Sequence, residues 1–432
     1  MTVMMDYTKE NRRAVLCIDV KSFFASVESV KHGLHPLHSE VVVMSRGNQN
    51  GGLVLASSPK VKEKYGLKTG SRKYEFPRKH QILIVPPRMG LYVRVNGLIN
   101  QIFQQYAAKE DIHTYSIDES FVDITASYHL FGDTIFEVAQ KIQRQIWDEL
   151  RLAVAVGIGD NPLLAKLALD NEAKDTPSHI AYWSYESVSN TIWKIPNLID
   201  MWGIGKRTAK RLNALGIYSV YDLAQADAAL LKKRLGVIGS QLYYHAHGID
   251  RSRISQKYII PPSSKSIGTS QVLERDYTKS KDIELIIREM TIVLSERLRQ
   301  LGKQTSCVSL SIGYSRGEQA KSWTKQLTIN PTDQTKALSD TLLYLFREHE
   351  ENGAVRTIGL SFGKLVNQPY QQLNLFDEPE RQVKTSQLDK VIDQVKSHYG
   401  KTALFPASSL QESGTYIKRS QLLGGHQRDS TS

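Results

Sequence analysis

The sequence predicts a multidomain protein of mixed α/β (α+β) class, an expectation carried by three observations. Its 432 residues are several times the length of one ordinary domain. Up to about residue 184, apolar runs of strand length alternate with amphipathic helical stretches. Between 264 and 366 the pattern reads strand, helix, strand, strand, helix, strand, the split βαβ order.

Residues 14–20 (AVLCIDV) form a strand-length apolar run with Asp19 near its end, and SFFASVESV follows at once with helical spacing. YSIDESFVDI (115–124) reads as a second strand. Ile135, Val138, Ile142, Ile146 and Leu150 then recur at steps of three and four, the mark of an amphipathic helix. LAVAVGIG (152–159) is a further strand. Asn161 and Pro162 suit the N-cap and first turn of a helix over LLAKLALDNEAK. Short helices occupy 185–253, and RISQKYIIPPSSKS (253–266) reads as a linker. Residues 367–432 are mostly polar and predict a flexible tail with little core of its own. There YGKTALF (399–405) is either a docking segment or a folded-back patch. Cys17 and Cys307 each lie in an apolar run and read as small core hydrophobes.

Charge narrows the function. Lys and Arg exceed Asp and Glu by 56 to 44, a net +12, which favours a polyanionic partner such as nucleic acid. Residues 25–88 hold eleven Lys/Arg against four Glu, so over half of the excess sits in one small insertion. No apolar run reaches the ~20 residues of a membrane span. The N-terminus lacks the apolar stretch of a secretory leader, so a cytoplasmic protein is expected.

The sharpest chemical signal is a set of acids at strand ends: Asp19 in CIDVKSFF and the pair Asp118 and Glu119 in YSIDES. Two adjacent carboxylates beside a third from another strand make a cage of hard oxygens. Such a cage suits two Mg²⁺ ions ~3.5–4 Å apart, the arrangement used in phosphoryl transfer.

The segments DVKSFFASVE (19–28), YSIDESFVDI (115–124), VGIGDNPLLAK (156–166) and WGIGKRTA (202–209) together resemble the Y-family translesion DNA polymerases over residues 13–366, the UmuC-like branch of Gram-positive bacteria in particular. The resemblance implies an N-terminal extension (1–12), a palm (13–24 and 89–184), fingers (25–88), a helical thumb (185–253), a linker (254–263), a βαββαβ little finger (264–366) and a tail (367–432). It makes Asp19, Asp118 and Glu119 the catalytic metal ligands, with the main-chain carbonyl of Val20 beside them. Phe24 takes the position of the steric gate, a ring that a ribose 2′-OH would strike. Lys174 matches the lysine that touches the incoming triphosphate. Where many relatives have a Tyr and an Arg in the fingers, this chain has Pro59 and Lys62; a lysine offers a point charge without arginine's bidentate fork.

Trp202 to Arg207 resembles a helix-hairpin-helix, in which Gly203 and Gly205 let the backbone approach a phosphate and Lys206 and Arg207 add charge. In the tail, Gln372, Leu373, Asn374, Leu375 and Phe376 resemble the bacterial sliding-clamp-binding pentapeptide. The implied activity is template-directed addition of dNTPs to a primer 3′ end across damaged DNA. It would run with low fidelity, use two Mg²⁺ and belong to the SOS response. Primer-template DNA, dNTPs and the clamp are the expected partners of a monomer acting at the nucleoid.

Overall fold

The structure, a computed structural model, describes residues 5–47, 51–256, 265–367 and 379–428. The chain forms two compact units, Met1–Lys257 with His426–Ser432, and Tyr258–Gly425.

The first unit opens with β1 (Val15–Val20) and α1 (Phe23–Lys31), as the apolar pattern requires. β2 (Val41–Ser45), β3 (Leu53–Ser57), α2 (Pro59–Tyr65) and β4 (Leu83–Val85) follow, and the three strands pair in the order β3-β2-β4. The basic insertion thus has a core of its own, with Val42, Met44, Val54, Val61 and Leu67 all buried. Pro59 stands in the first turn of α2. A missing N–H costs nothing there, and the fixed φ already suits a helix.

The larger sheet is completed by α3 (Met89–Phe103), β5 (Ile112–Thr114), β6 (Glu119–Asp123), α4 (Ile135–Leu150), β7 (Val154–Gly159), α5 (Pro162–Ala168) and β8 (Ile180–Trp183). Its strand order is β5-β6-β1-β7-β8, antiparallel except for β7 with β8. The expected strand over 115–124 is shorter than its composition suggests. Tyr115 to Asp118 turn, because the N–H groups of Tyr115 and Ser116 both donate to the Glu119 carbonyl, and pairing begins only at Glu119.

Side chains alternate along a strand, so β1 feeds two different cores. Leu16, Ile18 and Val20 join Tyr92 and Ile99 of α3 and Val138, Ile142 and Ile146 of α4. Val15 and Cys17 face the other way, toward α5 and the helices beyond it. Thr134 caps α4 by accepting from the Glu137 N–H at 3.2 Å, and its apolar stripe is the one read from the sequence. Burying each of those large aliphatic side chains contributes about 1.5–3 kcal/mol. Asn161 caps α5 by accepting from Leu164 N–H at 2.9 Å, with Pro162 in the first turn. α5 lies hard on β7: a Cβ at Gly157 would stand 2.0 Å from the Ala165 carbonyl oxygen, and one at Gly159 2.2 Å from the Ala165 nitrogen.

α6 (Lys206–Asn213), α7 (Val220–Gln225), α8 (Ala228–Leu235) and α9 (Val237–Ala246) form the helical part of this unit. Leu212, Val220, Leu223, Leu231 and Leu242 are its buried anchors.

The second unit realises the βαββαβ order as β9 (Ser266–Tyr277), α10 (Ser280–Gln300), β10 (Gln304–Tyr314), β11 (Trp323–Thr332), α11 (Thr335–His349) and β12 (Val355–Val366). The sheet order is β11-β10-β12-β9, antiparallel throughout. Cys307 is buried on β10 and Cys17 on β1, each free, as core hydrophobes. Beyond β12 the tail has more order than its polarity suggests. α12 (Pro379–Tyr399) docks on α10, where buried Arg299 bonds Asp393 at 2.6 and 2.9 Å and Asp389 at 3.3 Å. α13 (Tyr416–Ser420) follows, Thr415 donates twice to Glu289, and Phe405 stacks on buried Tyr416. Within YGKTALF, Phe405 and the Lys401 carbonyl meet Tyr416, while Tyr399 and Leu404 stay exposed. These attachments are mainly polar, which is why hydrophobic periodicity did not reveal them. Gln372, Leu373, Leu375 and Phe376, and most of the linker, lie outside the described residues.

Candidate active site

The antiparallel register of β1 with β6 sets Asp19 directly opposite Glu119. Cys17, Asp19, Glu119 and Phe121 consequently share the face of the sheet on which α5 packs. The Val20 N–H donates to the Asp118 carbonyl at 2.9 Å, which holds the Asp118 turn against the end of β1. Ser116 Oγ donates to Asp118 Oδ1 at 2.6 Å and orients that carboxylate. The three acids read from the sequence are thus brought together at one strand end.

Their electrostatics are those of crowded like charges. Burial, with the repulsion of Asp118 and Glu119 adding to it, pushes the Asp19 carboxyl up to about 6, although Lys174 pulls the other way. Glu119 is turned inward: its Oε1 accepts from Lys166 Nζ at 2.8 Å and from the buried Cys17 thiol at 3.1 Å. The expected cage is therefore not closed. Among the described residues, no three acidic, His or Cys side chains converge as a ready metal site, and Glu119 is engaged by Lys166.

After α5 the chain makes a π-helical turn, Leu169–Ala173, an irregularity often found at functional sites. It carries Asp170, which joins Lys166 (2.8 Å) to Lys174 (2.9 Å). Lys174 Nζ in turn stands 3.9 Å from Asp19 Oδ2. Burial disfavours the Lys174 charge, but Asp19 and Asp170 outweigh it and raise its pKa. From α2, Lys62 Nζ donates to Ser22 Oγ at 2.8 Å and lies close enough to Asp19 and Asp118 to feel their charges. Ser22 itself sits in the left-handed region, at φ 51°, in the turn that joins β1 to α1. Lys21 reaches the His179 ring at 3.1 Å and the Lys174 carbonyl at 3.3 Å, steadying that loop. Acids and lysines alternate around one opening, a field able to hold divalent cations and a polyphosphate together.

Phe24 lies beside this opening, half-buried, its ring stacked on Tyr92 at 4.3 Å between centroids. Trp202, at the start of the glycine hairpin, contacts the rings of Tyr115 and Phe121, so the hairpin stands next to the acidic strand. Gly203 has φ 92°, a conformation that L side chains rarely adopt. Lys206, Arg207, Lys210 and Arg211 are all exposed, while Ile204, Ala209 and Leu212 anchor the turn.

Three parts escaped sequence reasoning. Lys166 and Asp170 precede Lys174 at steps of four, a helix-face signal that was available. Gly236, at φ 71°, is the single residue that joins α8 to α9, and it follows Lys232, Lys233 and Arg234 in the last turn of α8. The partners of Tyr92 lie far apart in the chain and left no local trace.

The profile of the impB/mucB/samB family matches residues 18–170, that of its C-terminal domain 264–375, and the IMS family HHH motif 185–217. The chain is 40% identical to the putative UV-damage repair protein UvrX of Bacillus subtilis, over 98% of this chain and all of that protein. It is 33% identical to DNA polymerase IV 2 of the same organism (96% of this chain, 98% of that one). With DNA polymerase IV of Moorella thermoacetica the identity is 31% (93% and 97%). A solved Y-family DNA polymerase chimera of Dbh and Dpo4 superimposes with a TM-score of 0.65 at 22% identity, covering 82% of this chain and all of that one, a likeness of fold.

Proposed function

This chain belongs to the impB/mucB/samB family of Y-family DNA polymerases, and from that premise we propose how its residues carry out template-directed DNA synthesis. The protein is a DNA-directed DNA polymerase of the translesion type, adding dNTPs to a primer 3′ end opposite damaged template.

Asp19, Asp118, Glu119 and the main-chain carbonyl of Val20 would hold two Mg²⁺. The fit rests on the donor set: hard oxygens crowded until Asp19 resists ionisation, a strain that a divalent cation relieves. When bound, such ions supply the positive charge that favours attack of the primer hydroxyl on the α-phosphate and departure of pyrophosphate. The chain's own side chains do the positioning. Lys62 and Lys174 bracket the opening and take the triphosphate, and Phe24 lies under the sugar and excludes a 2′-OH. Trp202 seats the Gly203–Gly205 hairpin beside the acids, where backbone N–H groups with Lys206 and Arg207 grip the DNA backbone without reading bases. Gln372, Leu373, Leu375 and Phe376 tether the enzyme to the sliding clamp, and the protein works as a monomer in the cytoplasm, at the nucleoid, within the SOS response.

The observation that carries this reading is the Asp19–Glu119 register, with Asp118 pinned to the Val20 N–H and lysines on either side. Primer extension on templates with and without an abasic site tests it. Extension past the lesion by the wild type, lost in Asp118→Ala with Glu119→Ala, is the expected result. Equal extension by that variant would remove the metal assignment.

A further inference from the structure

Phe24 is backed by a buried lock that no part of the catalytic argument uses. One face of its ring lies against Tyr92, nearly parallel at 15°. Tyr92 is fully buried, and its hydroxyl donates to Glu28 Oε1 at 2.7 Å. Glu28 is itself 1% exposed, so its charge has been taken out of water. It is neutralised by Arg88, whose Nε donates to Oε1 at 3.0 Å and whose second nitrogen meets Oε2. Burial and the Glu28 charge push the Tyr92 hydroxyl's pKa up, which keeps its proton available for the bond.

A buried ion pair contributes little net stability, since desolvation consumes most of the Coulombic gain. What the ion pair adds is directional: two parallel bonds fix the carboxylate, the carboxylate fixes the Tyr92 hydroxyl, and a ring held at both ends cannot slide. The three residues come from α1 and from the start of α3, and Arg88 immediately precedes α3. The lock therefore ties α1, which carries Phe24, to the start of α3.

We propose that Glu28 and Arg88, acting through Tyr92, are positioning residues for sugar discrimination, holding Phe24 at the height where it meets a 2′-OH. The proposal rests on the reading of Phe24 as the steric gate. A gate that can recede by a fraction of an ångström admits the extra oxygen; one backed by a fixed ring cannot.

The test is single-nucleotide incorporation by the full-length protein on primer-template DNA, comparing kcat/KM for a dNTP and the matching rNTP. Arg88→Ala and Glu28→Gln are expected to raise relative rNTP use by about tenfold, the scale of one lost close contact. Tyr92→Phe, which keeps the stack and loses only the hydroxyl, should raise it by a smaller factor; this variant carries the test should Glu28→Gln fail to fold. Phe24→Ala serves as the control. Loosened selectivity in Phe24→Ala with unchanged selectivity in Arg88→Ala and Tyr92→Phe would overturn the lock while leaving the gate intact. Unchanged selectivity in Phe24→Ala would bring down both.

Discussion

Lys166 Nζ lies 2.8 Å from Glu119 Oε1, both side chains more than nine-tenths buried. An acid proposed to hold metal is thus charge-balanced by the helix packed on its own strand. Removing the lysine leaves Glu119 unpaired in a dry site, and breaking a buried pair from one side costs roughly 3–5 kcal/mol. Lys166→Met should lower the melting temperature of chelator-treated protein by many degrees, and saturating Mg²⁺ should recover part of it. A variant that melts with the wild type would show that the Lys166–Glu119 pair adds nothing to the metal-free fold.

Asp19 has the opposite problem. Its pKa near 6, against an ordinary 3.8, means the folded chain binds a proton that the unfolded chain has released. Between pH 4 and 6 stability therefore falls as pH rises, and the whole penalty, roughly 1–3 kcal/mol, is present above 6. Asp19→Asn should accordingly stabilise metal-free protein at pH 7.5, with the gain gone at pH 4. Chelator-treated thermal melts across that range decide it; a gain that grows toward acid would reverse the assignment.

Lys62 comes toward the acids from α2, while Lys174 comes from the end of the π turn. Lys62→Ala should raise KM for dNTP about tenfold, equivalent to about 1.4 kcal/mol, and Lys62→Arg should keep most of the affinity. Steady-state kinetics with one dNTP suffice. An Ala variant with unaltered KM would assign the triphosphate to Lys174 alone.

Gly157 faces the α5 backbone with no room for a methyl group. Gly157→Ala should destabilise the first unit by several kcal/mol, as overpacked cores do, and shift α5 together with Lys166. Chemical denaturation would register it, and a loss below 1 kcal/mol would mean that α5 can slide away without cost.

The proposed clamp attachment is separable from chemistry. Leu375→Ala with Phe376→Ala should abolish retention of the chain on immobilised sliding clamp, with unassisted primer extension kept. Undiminished retention would move the contact elsewhere.

Most of the architecture was legible because it is written in local periodicity. The strand AVLCIDV, the α4 stripe and the βαββαβ order each follow from side-chain spacing that a chain cannot satisfy otherwise. The acids were legible as a pattern, Asp19 on one strand and Asp118–Glu119 at the head of another. What spacing could not show was the direction each carboxylate takes: Glu119 turns to Lys166 because α5 passes over it, a tertiary fact. The same holds for Glu28, which reads as a polar position on α1 and is sealed there by Arg88, sixty residues on, together with Tyr92. The α12 docking on Arg299 was hidden for a related reason, since polar contacts leave no hydrophobic signature.

β1 delivers even-numbered residues to one core and odd-numbered residues to the other. Inserting or deleting one residue within it would send Asp19 among the helices α3 and α4, and in the same stroke exchange every aliphatic side chain between the two cores. The acid's position is thus protected against frameshifts of pairing by the rest of the strand. Sequence drift can reach this centre by replacing Asp19, but not by sliding it, so inactive descendants of the fold should carry substitutions at position 19 and intact strand lengths around it.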